Sequence, residues 1–198
     1  MRGINKVNKY LYLSDWHSVS DPNAVAEHNI DNVISIMDWS PSEEWCQKCS
    51  LLNIKTFHYE IEDDPNANII PVCEQIHIQI ERIKSQNETV LLHCRAGRSR
   101  SATVVLLHLL KSNRLLWNDD WTKYSTVSEQ VVFLKFKRPV VHPNYLFIRQ
   151  LKLYFAAADD DAVGHEAADV DDDDDAVDNL DIVNKVLLDL KQETVPSE

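Results

Sequence analysis

Apolar positions in this chain follow two spacings. Short runs at Tyr10-Leu11-Tyr12-Leu13, Val33-Ile34-Ser35-Ile36-Met37 and Thr89-Val90-Leu91-Leu92 read as buried strands, because they are brief and mostly unbroken by charge. Ile54 to Glu62 alternates as a further strand, and Asp63-Asp64-Pro65-Asn66-Ala67-Asn68 follows it as a loop marked by proline and asparagine. Beyond Asn68 the apolar positions Ile69, Val72, Cys73, Ile76, Ile80 and Ile83 recur at helical spacing, with Pro71 tolerable in the first turn. Ala102, Val105, Leu106, Leu109 and Leu110 form one face of a second helix. The order of elements predicts a mixed α/β domain, with the strand at 89–92 at its centre and a helix beginning near Arg100.

Between that strand and that helix lies His93-Cys94-Arg95-Ala96-Gly97-Arg98-Ser99-Arg100-Ser101. A thiol that attacks phosphorus must be a thiolate, and the ordinary cysteine pKa of about 8.5 is too high for that at neutral pH. Five residues between Cys94 and Arg100 suffice for a loop whose backbone N–H groups converge as an anion-binding nest, and the helix that follows adds its positive end. Those donors suit first the thiolate and then the phosphate oxygens. The guanidinium of Arg100 binds two oxygens at once, which a lysine point charge does not. The chain holds 3 glycines, and Gly97 alone lies between residues 4 and 163. Its place in this loop marks a position of positive φ or close approach. The spacing is not that of a Walker-type loop, which ends in Gly-Lys-Ser/Thr.

His93-Cys94-x5-Arg100-Ser101 resembles the signature of the cysteine-dependent protein tyrosine phosphatase superfamily, and the Ser-Arg-Ser ending resembles its dual-specificity branch. Arg138-Pro139-x3-Pro143-Asn144-x2-Phe147-x2-Gln150-Leu151 is similar to the closing segment of that branch. The resemblance spans about residues 5 to 156. It implies a central, mostly parallel sheet flanked by helices, and a two-step hydrolysis through a cysteinyl-phosphate. It implies catalytic roles for Cys94 as nucleophile, Arg100 as phosphate ligand, Asp63 as general acid and Ser101 as the group that helps the thiolate leave. Asp63 precedes Asn68, expected to open the next helix, by the family's five residues, with Asp64 the runner-up. Arg95, Ala96, Gly97, Arg98, Ser99 and Arg100 form the phosphate-binding loop. His93 is expected to hydrogen-bond within the loop's backbone, and neither cofactor nor metal is required. The stretch Trp117 to Trp121 departs from the family, which usually goes straight into its next helix.

A domain of this size has little room for the extra segment that deepens the pocket of tyrosine-specific relatives. This favours a shallow pocket and a dual-specificity protein phosphatase acting on phosphotyrosine and on phosphoserine or phosphothreonine. Arg95 and Arg98 keep a lipid reading open, on phosphatidylglycerophosphate or phosphoinositides, because phosphatidylglycerophosphate phosphatases have a similarly basic loop. An RNA 5′-triphosphatase fits less well, and a phosphate-binding pseudoenzyme would lack the nucleophile or the acid, both present here.

Charge divides the chain. Net charge is −12, and residues 159–198 carry 15 acidic side chains against Lys185 and Lys191, so the remainder is close to neutral. The expected organisation is a catalytic domain over 1–157 and a disordered acidic tail over 158–198. The tail carries a short amphipathic pattern at 179–191, suited to a protein partner or similar to a nuclear export signal, and its aspartates could also compete for the cationic loop. Aspartate runs argue against nucleic acid and anionic membranes as partners. No apolar stretch approaches 18 to 20 residues, so no stable membrane insertion is expected. Four cysteines without a signal peptide fit a reducing compartment. Cytoplasmic and nuclear localisation are expected. Cys46-x2-Cys49 reads as packing or surface thiols rather than as a zinc or redox pair, and Cys73 as packing.

Overall fold

A computed structural model describes residues 3–115 and 126–163, with side chains over 3–112 and 126–157. Five strands form one sheet in the order β1-β2-β5-β3-β4. They are β1 (Asn5–Lys6), β2 (Leu11–Asp15), β3 (Asn32–Met37), β4 (Lys55–Glu60) and β5 (Val90–Cys94). β2, β5, β3 and β4 run parallel, and the short β1 adds an antiparallel edge. Every residue of β3 and β5 is buried. Unbroken apolar runs are what a parallel strand covered on both faces requires.

Side-chain alternation along these strands separates two cores. Ile34, Ile36, Val90, Leu92, Leu11 and Leu13 point to the larger one. It is closed by α4 (Ile70–Ser85), α5 (Arg100–Leu115), α6 (Val127–Lys137) and α7 (Tyr145–Val163). Val33 and Leu91 point to the smaller one, with Val19, Val25, Trp45 and Cys49. Its covering helices are α1 (Trp16–Val19), α2 (Pro22–Ala26) and α3 (Glu43–Leu51).

The mixed α/β fold, the central parallel strand and the two long helices agree with the sequence reading. Three details differ. Asn68 does not open α4: its N-cap is Ile69, without a side-chain cap. The Ile69 N–H is met instead by Gln150 Oε1 of α7 at 3.0 Å, a partner supplied by tertiary packing. The boundary at Ala157 also falls inside α7, which continues through Asp159–Asp161 to Val163. The packed stretch around Phe147, Leu151 and Phe155 starts this helix, and three consecutive alanines, strong helix formers, carry it on. Finally, β1, α1–α3, α6 and α7 are elements that periodicity did not indicate. Trp117 to Trp121, the tail beyond residue 163 and the pattern at 179–191 lie outside the described residues. Among the described residues, no helix is long and apolar enough to cross a membrane.

Candidate active site

The strand order fixes the site. With β5 between β2 and β3, the carboxyl ends of three parallel strands bring Asp15, Cys94 and Asp38 to one edge, where open α/β sheets collect ligands. Asp15 lies opposite Cys94 in the β2–β5 register. Cys94 is 1% exposed, and two donors reach its Sγ: the Gly97 N–H and the Ser101 Oγ–H, each at 3.2 Å. α5 begins at Arg100, so its positive end adjoins the loop.

Gly97 takes a φ of +62°. A Cβ there would lie 2.3 Å from the Ser14 carbonyl oxygen and 2.8 Å from Arg138 Nη2, so both backbone conformation and space demand glycine. The loop is braced from outside: Trp16 N–H donates to the Arg95 carbonyl, and His142 N–H to the Arg98 carbonyl. Arg138 is 1% exposed and its Nε donates to the Gly97 carbonyl at 3.0 Å. Its Nη1 donates to the Gly3 carbonyl and Asn5 Oδ1, and its Nη2 to Asp15 Oδ2 at 2.8 Å. Burial opposes ionisation of Asp15, but hydrogen bonds from Ser18 and Arg138 outweigh it and hold the carboxyl below its ordinary range. A carboxylate beside the cysteine is thereby neutralised without spending the loop's own cations.

Arg100 is also buried, and its Nη1 donates to Asp38 Oδ1 at 2.8 Å and to the Ile61 carbonyl at 2.9 Å. The hydrogen bond from Arg100 lowers the Asp38 carboxyl. Arg100 Nε is buried with no hydrogen-bond partner among the described residues and faces Asp63 Oδ2 across 3.8 Å. An unpaired buried guanidinium N–H is a donor suited to an anion.

Asp63 Oδ1 accepts the Ser99 hydroxyl at 2.6 Å and Asn144 Nδ2 at 3.2 Å, and the Asn144 N–H donates to Ser99 Oγ. Asp64 instead accepts the N–H of Asn66 in its own turn. Of the two carboxylates, Asp63 is the one brought to the loop. Arg95, Ala96 and Arg98 are exposed on the rim, whereas Gly97, Ser99, Arg100 and Ser101 are buried.

His93 also bonds across the sheet: its Nε2 pairs with Ser35 Oγ of β3 at 2.7 Å, besides a backbone hydrogen bond at Cys94. Burial pushes it down to about 4, so it is neutral at physiological pH. Trp16 packs on the imidazole and on Trp39 and Trp45. Sequence reasoning missed Asp15, Asp38 and the bracing by Arg138. The strand order was the signal that locates the first two.

Cys49 is buried in the smaller core and Cys46 is half-buried on α3, and all four cysteines are free. Burial pushes the Cys49 thiol up to about 12 and the Cys73 thiol well above the ordinary value. Both are packing thiols.

Residues 11–157 match the family model for the dual specificity phosphatase catalytic domain. The tyrosine-protein phosphatase yvh1 of Schizosaccharomyces pombe is 30% identical over 155 residues, covering 78% of this chain and 42% of the relative. Dual specificity protein phosphatase 22-B of Danio rerio is 31% identical over 150 residues, covering 76% of this chain and 73% of the relative. A probable rhodanese domain-containing dual specificity protein phosphatase of Dictyostelium discoideum is 37% identical over 100 residues, covering 50% of this chain. The chain spans only 19% of that relative's length. Among solved structures, DUSP15 superposes with a TM-score of 0.65 at 24% identity, covering 80% of this chain and 90% of that one. The Yvh1 phosphatase domain of Chaetomium thermophilum does so with 0.62 at 22%, covering 82% and 99%. The described architecture is the fold of these structures, and the chain belongs to the dual specificity phosphatase catalytic domain family.

Proposed function

We propose that this chain hydrolyses phosphotyrosine and phosphoserine or phosphothreonine in proteins through a cysteinyl-phosphate. The observation that carries this reading is the convergence on Cys94 Sγ of two donors at the N-terminus of α5, with Arg100 Nε unpaired beside Asp63. In the first step Sγ attacks phosphorus, the P–O bond to the side chain breaks, and Asp63 gives its proton to the departing oxygen. Oδ1 is engaged by Ser99 and Asn144, which leaves Oδ2 to carry that proton. Arg100 and the loop hold the non-bridging oxygens. In the second step Asp63 takes a proton from water as its oxygen attacks phosphorus and the S–P bond breaks. The Ser101 hydroxyl stabilises the departing thiolate. His93, neutral and tied to Ser35, anchors the end of β5 rather than relaying protons.

Arg95 and Arg98 lie on the exposed rim, where their charges attract an acidic or phosphorylated peptide without defining a headgroup pocket. Nothing in the geometry favours a lipid, and the reading keeps to protein substrates in a reducing compartment, the cytoplasm and nucleus. The test is initial-rate hydrolysis of phosphotyrosine and phosphothreonine peptides beside phosphatidylglycerophosphate and phosphoinositides, for the native chain and Asp63→Asn. Peptide turnover dominates, and Asp63→Asn lowers kcat on peptides by about 10²- to 10⁴-fold. Dominant lipid turnover would overturn the substrate class, and an unchanged Asp63→Asn rate would overturn the acid.

A further inference from the structure

The α4–α5 interface, away from the loop, holds a cluster of ligand-type side chains that the phosphatase chemistry does not use. His77 and Glu81 stand four residues apart on one face of α4, and His108 faces them from α5. We propose that His77, Glu81 and His108 form a binding site for a divalent first-row metal ion of the zinc class, bridging the two helices.

Geometry supports it first. The Nδ1 atoms of His77 and His108 face each other at 3.0 Å, and His108 Nδ1 lies 3.9 Å from Glu81 Oε1. One ligand atom from each residue falls within 4.8 Å of the others. A zinc ion with bonds of about 2.0–2.1 Å to nitrogen and oxygen has tetrahedral ligands about 3.3 Å apart, so the two imidazole nitrogens already stand near ligand spacing and the Glu81 carboxylate closes in by side-chain rotation. Two histidines and one carboxylate are a familiar zinc set, and imidazole suits this class of ion better than magnesium or calcium.

The surroundings supply the outer partners that such sites use. His108 Nε2 pairs with the Tyr10 hydroxyl at 2.9 Å. If that nitrogen carries the ring proton, Nδ1 turns its lone pair toward His77 and Glu81, the tautomer a ligand needs. A single proton then joins the two Nδ1 atoms, and it moves to His77 Nε2 as the ion takes its place, so that both rings stay neutral. Glu81 Oε1, the oxygen that faces His108, also accepts the Ser112 hydroxyl at 3.3 Å, and Lys84 pairs with Oε2 at 3.5 Å, so both oxygens have outer partners. Both histidines are nearly inaccessible, at 7% and 0% exposure, while Glu81 opens the cluster toward solvent and gives the ion an entry path. Burial lowers both imidazoles from their ordinary range, which favours the neutral form that binds metal. An ion here would clamp α5, the helix whose first residue is Arg100, against α4.

The test uses the full chain carrying Cys94→Ser, so that the catalytic thiol does not compete, titrated with Co²⁺ and Zn²⁺. One equivalent of Co²⁺ is expected to give the visible absorption of a nitrogen and oxygen ligand set without near-ultraviolet thiolate bands. Zn²⁺ displaces it and raises the melting temperature. Glu81→Gln and His77→Asn, checked for folding by circular dichroism, each weaken the ion by about 100-fold or more, beyond what loss of an outer-shell partner costs. Thiolate absorption would place the ion at Cys46 and Cys49 and overturn the proposal. Affinity unchanged in folded Glu81→Gln and His77→Asn would place it on the acidic tail, with the same result. Absence of stoichiometric binding would leave the histidines as a hydrogen-bonded pair and also overturn it.

Discussion

Cys94 and Cys49 are equally hidden, at 1% and 0% exposure, and their surroundings have opposite chemistry. Around Cys49 lie Val19, Val25, Val33, Trp45 and Ile54 in the smaller core, and burial pushes its thiol up to about 12. Around Cys94 the Gly97 N–H and Ser101 O–H point at the sulfur, and a helix begins six residues on. Burial by itself silences a thiol. Burial with oriented donors stores the solvation that an anion would otherwise seek from water, and that difference separates a packing residue from a nucleophile.

The sharpest break of this comparison is to remove each sulfur in turn. Cys94→Ser is expected to lower kcat on a phosphotyrosine peptide by more than about 10³-fold while substrate still binds. Cys49→Ala leaves kcat within about twofold and costs about 1–2 kcal/mol in a urea melt. Equal losses of activity would erase the distinction. A smaller effect comes from removing one donor. Ser101→Ala deletes a hydrogen bond worth about 1.5–3 kcal/mol to a charged acceptor, so release of the thiolate slows by about 10- to 150-fold. Stopped-flow kinetics then show a burst of product followed by slow turnover, whereas a uniform slowing of both steps would assign Ser101 to packing alone.

The third effect is on stability alone and concerns His93, on which burial acts as it does on Cys49, selecting the neutral form. Between the unfolded value of about 6.5 and the folded value of about 4, the unfolded chain binds a proton that the folded chain refuses. The contribution of the neutral imidazole is therefore complete above pH 6.5 and lost by about pH 4. It amounts to about 3 kcal/mol. Urea melts at pH 7 and pH 4.5 should show most of this loss in the native chain and much less in His93→Asn, while equal losses would place the acid sensitivity elsewhere.

Local pattern carried much of this fold. The apolar runs of β2, β3 and β5 and the helical spacing of α4 and α5 were legible because strands covered on both faces and amphipathic helices leave periodic marks. The loop was legible because its chemistry requires fixed spacing, and Asp63, Gly97, Arg100 and Ser101 do converge around Cys94 and one another. Asp38 was not, since nothing within the chain near residue 38 or residue 100 records that they meet. Their meeting follows from β5 lying between β2 and β3, a long-range choice. Arg138 was visible as part of the closing segment, but its four partners come from residues 3, 5, 15 and 97. The start of α4 was misjudged for the same reason, because the donor at Ile69 is satisfied by Gln150 of a distant helix and not by a local cap.

The four-way grip of Arg138 also has a meaning in time. A growing chain with residues 94 to 101 already synthesised holds the whole loop sequence and the Trp16 brace, but not the others, because the guanidinium that ties the Gly97 carbonyl to the first strands lies about forty residues further on. Complete bracing of the loop thus waits until nearly the entire domain has emerged. A nascent or prematurely terminated chain would carry the nucleophile and its donors without the braces from Arg138 and His142 that hold the loop's shape.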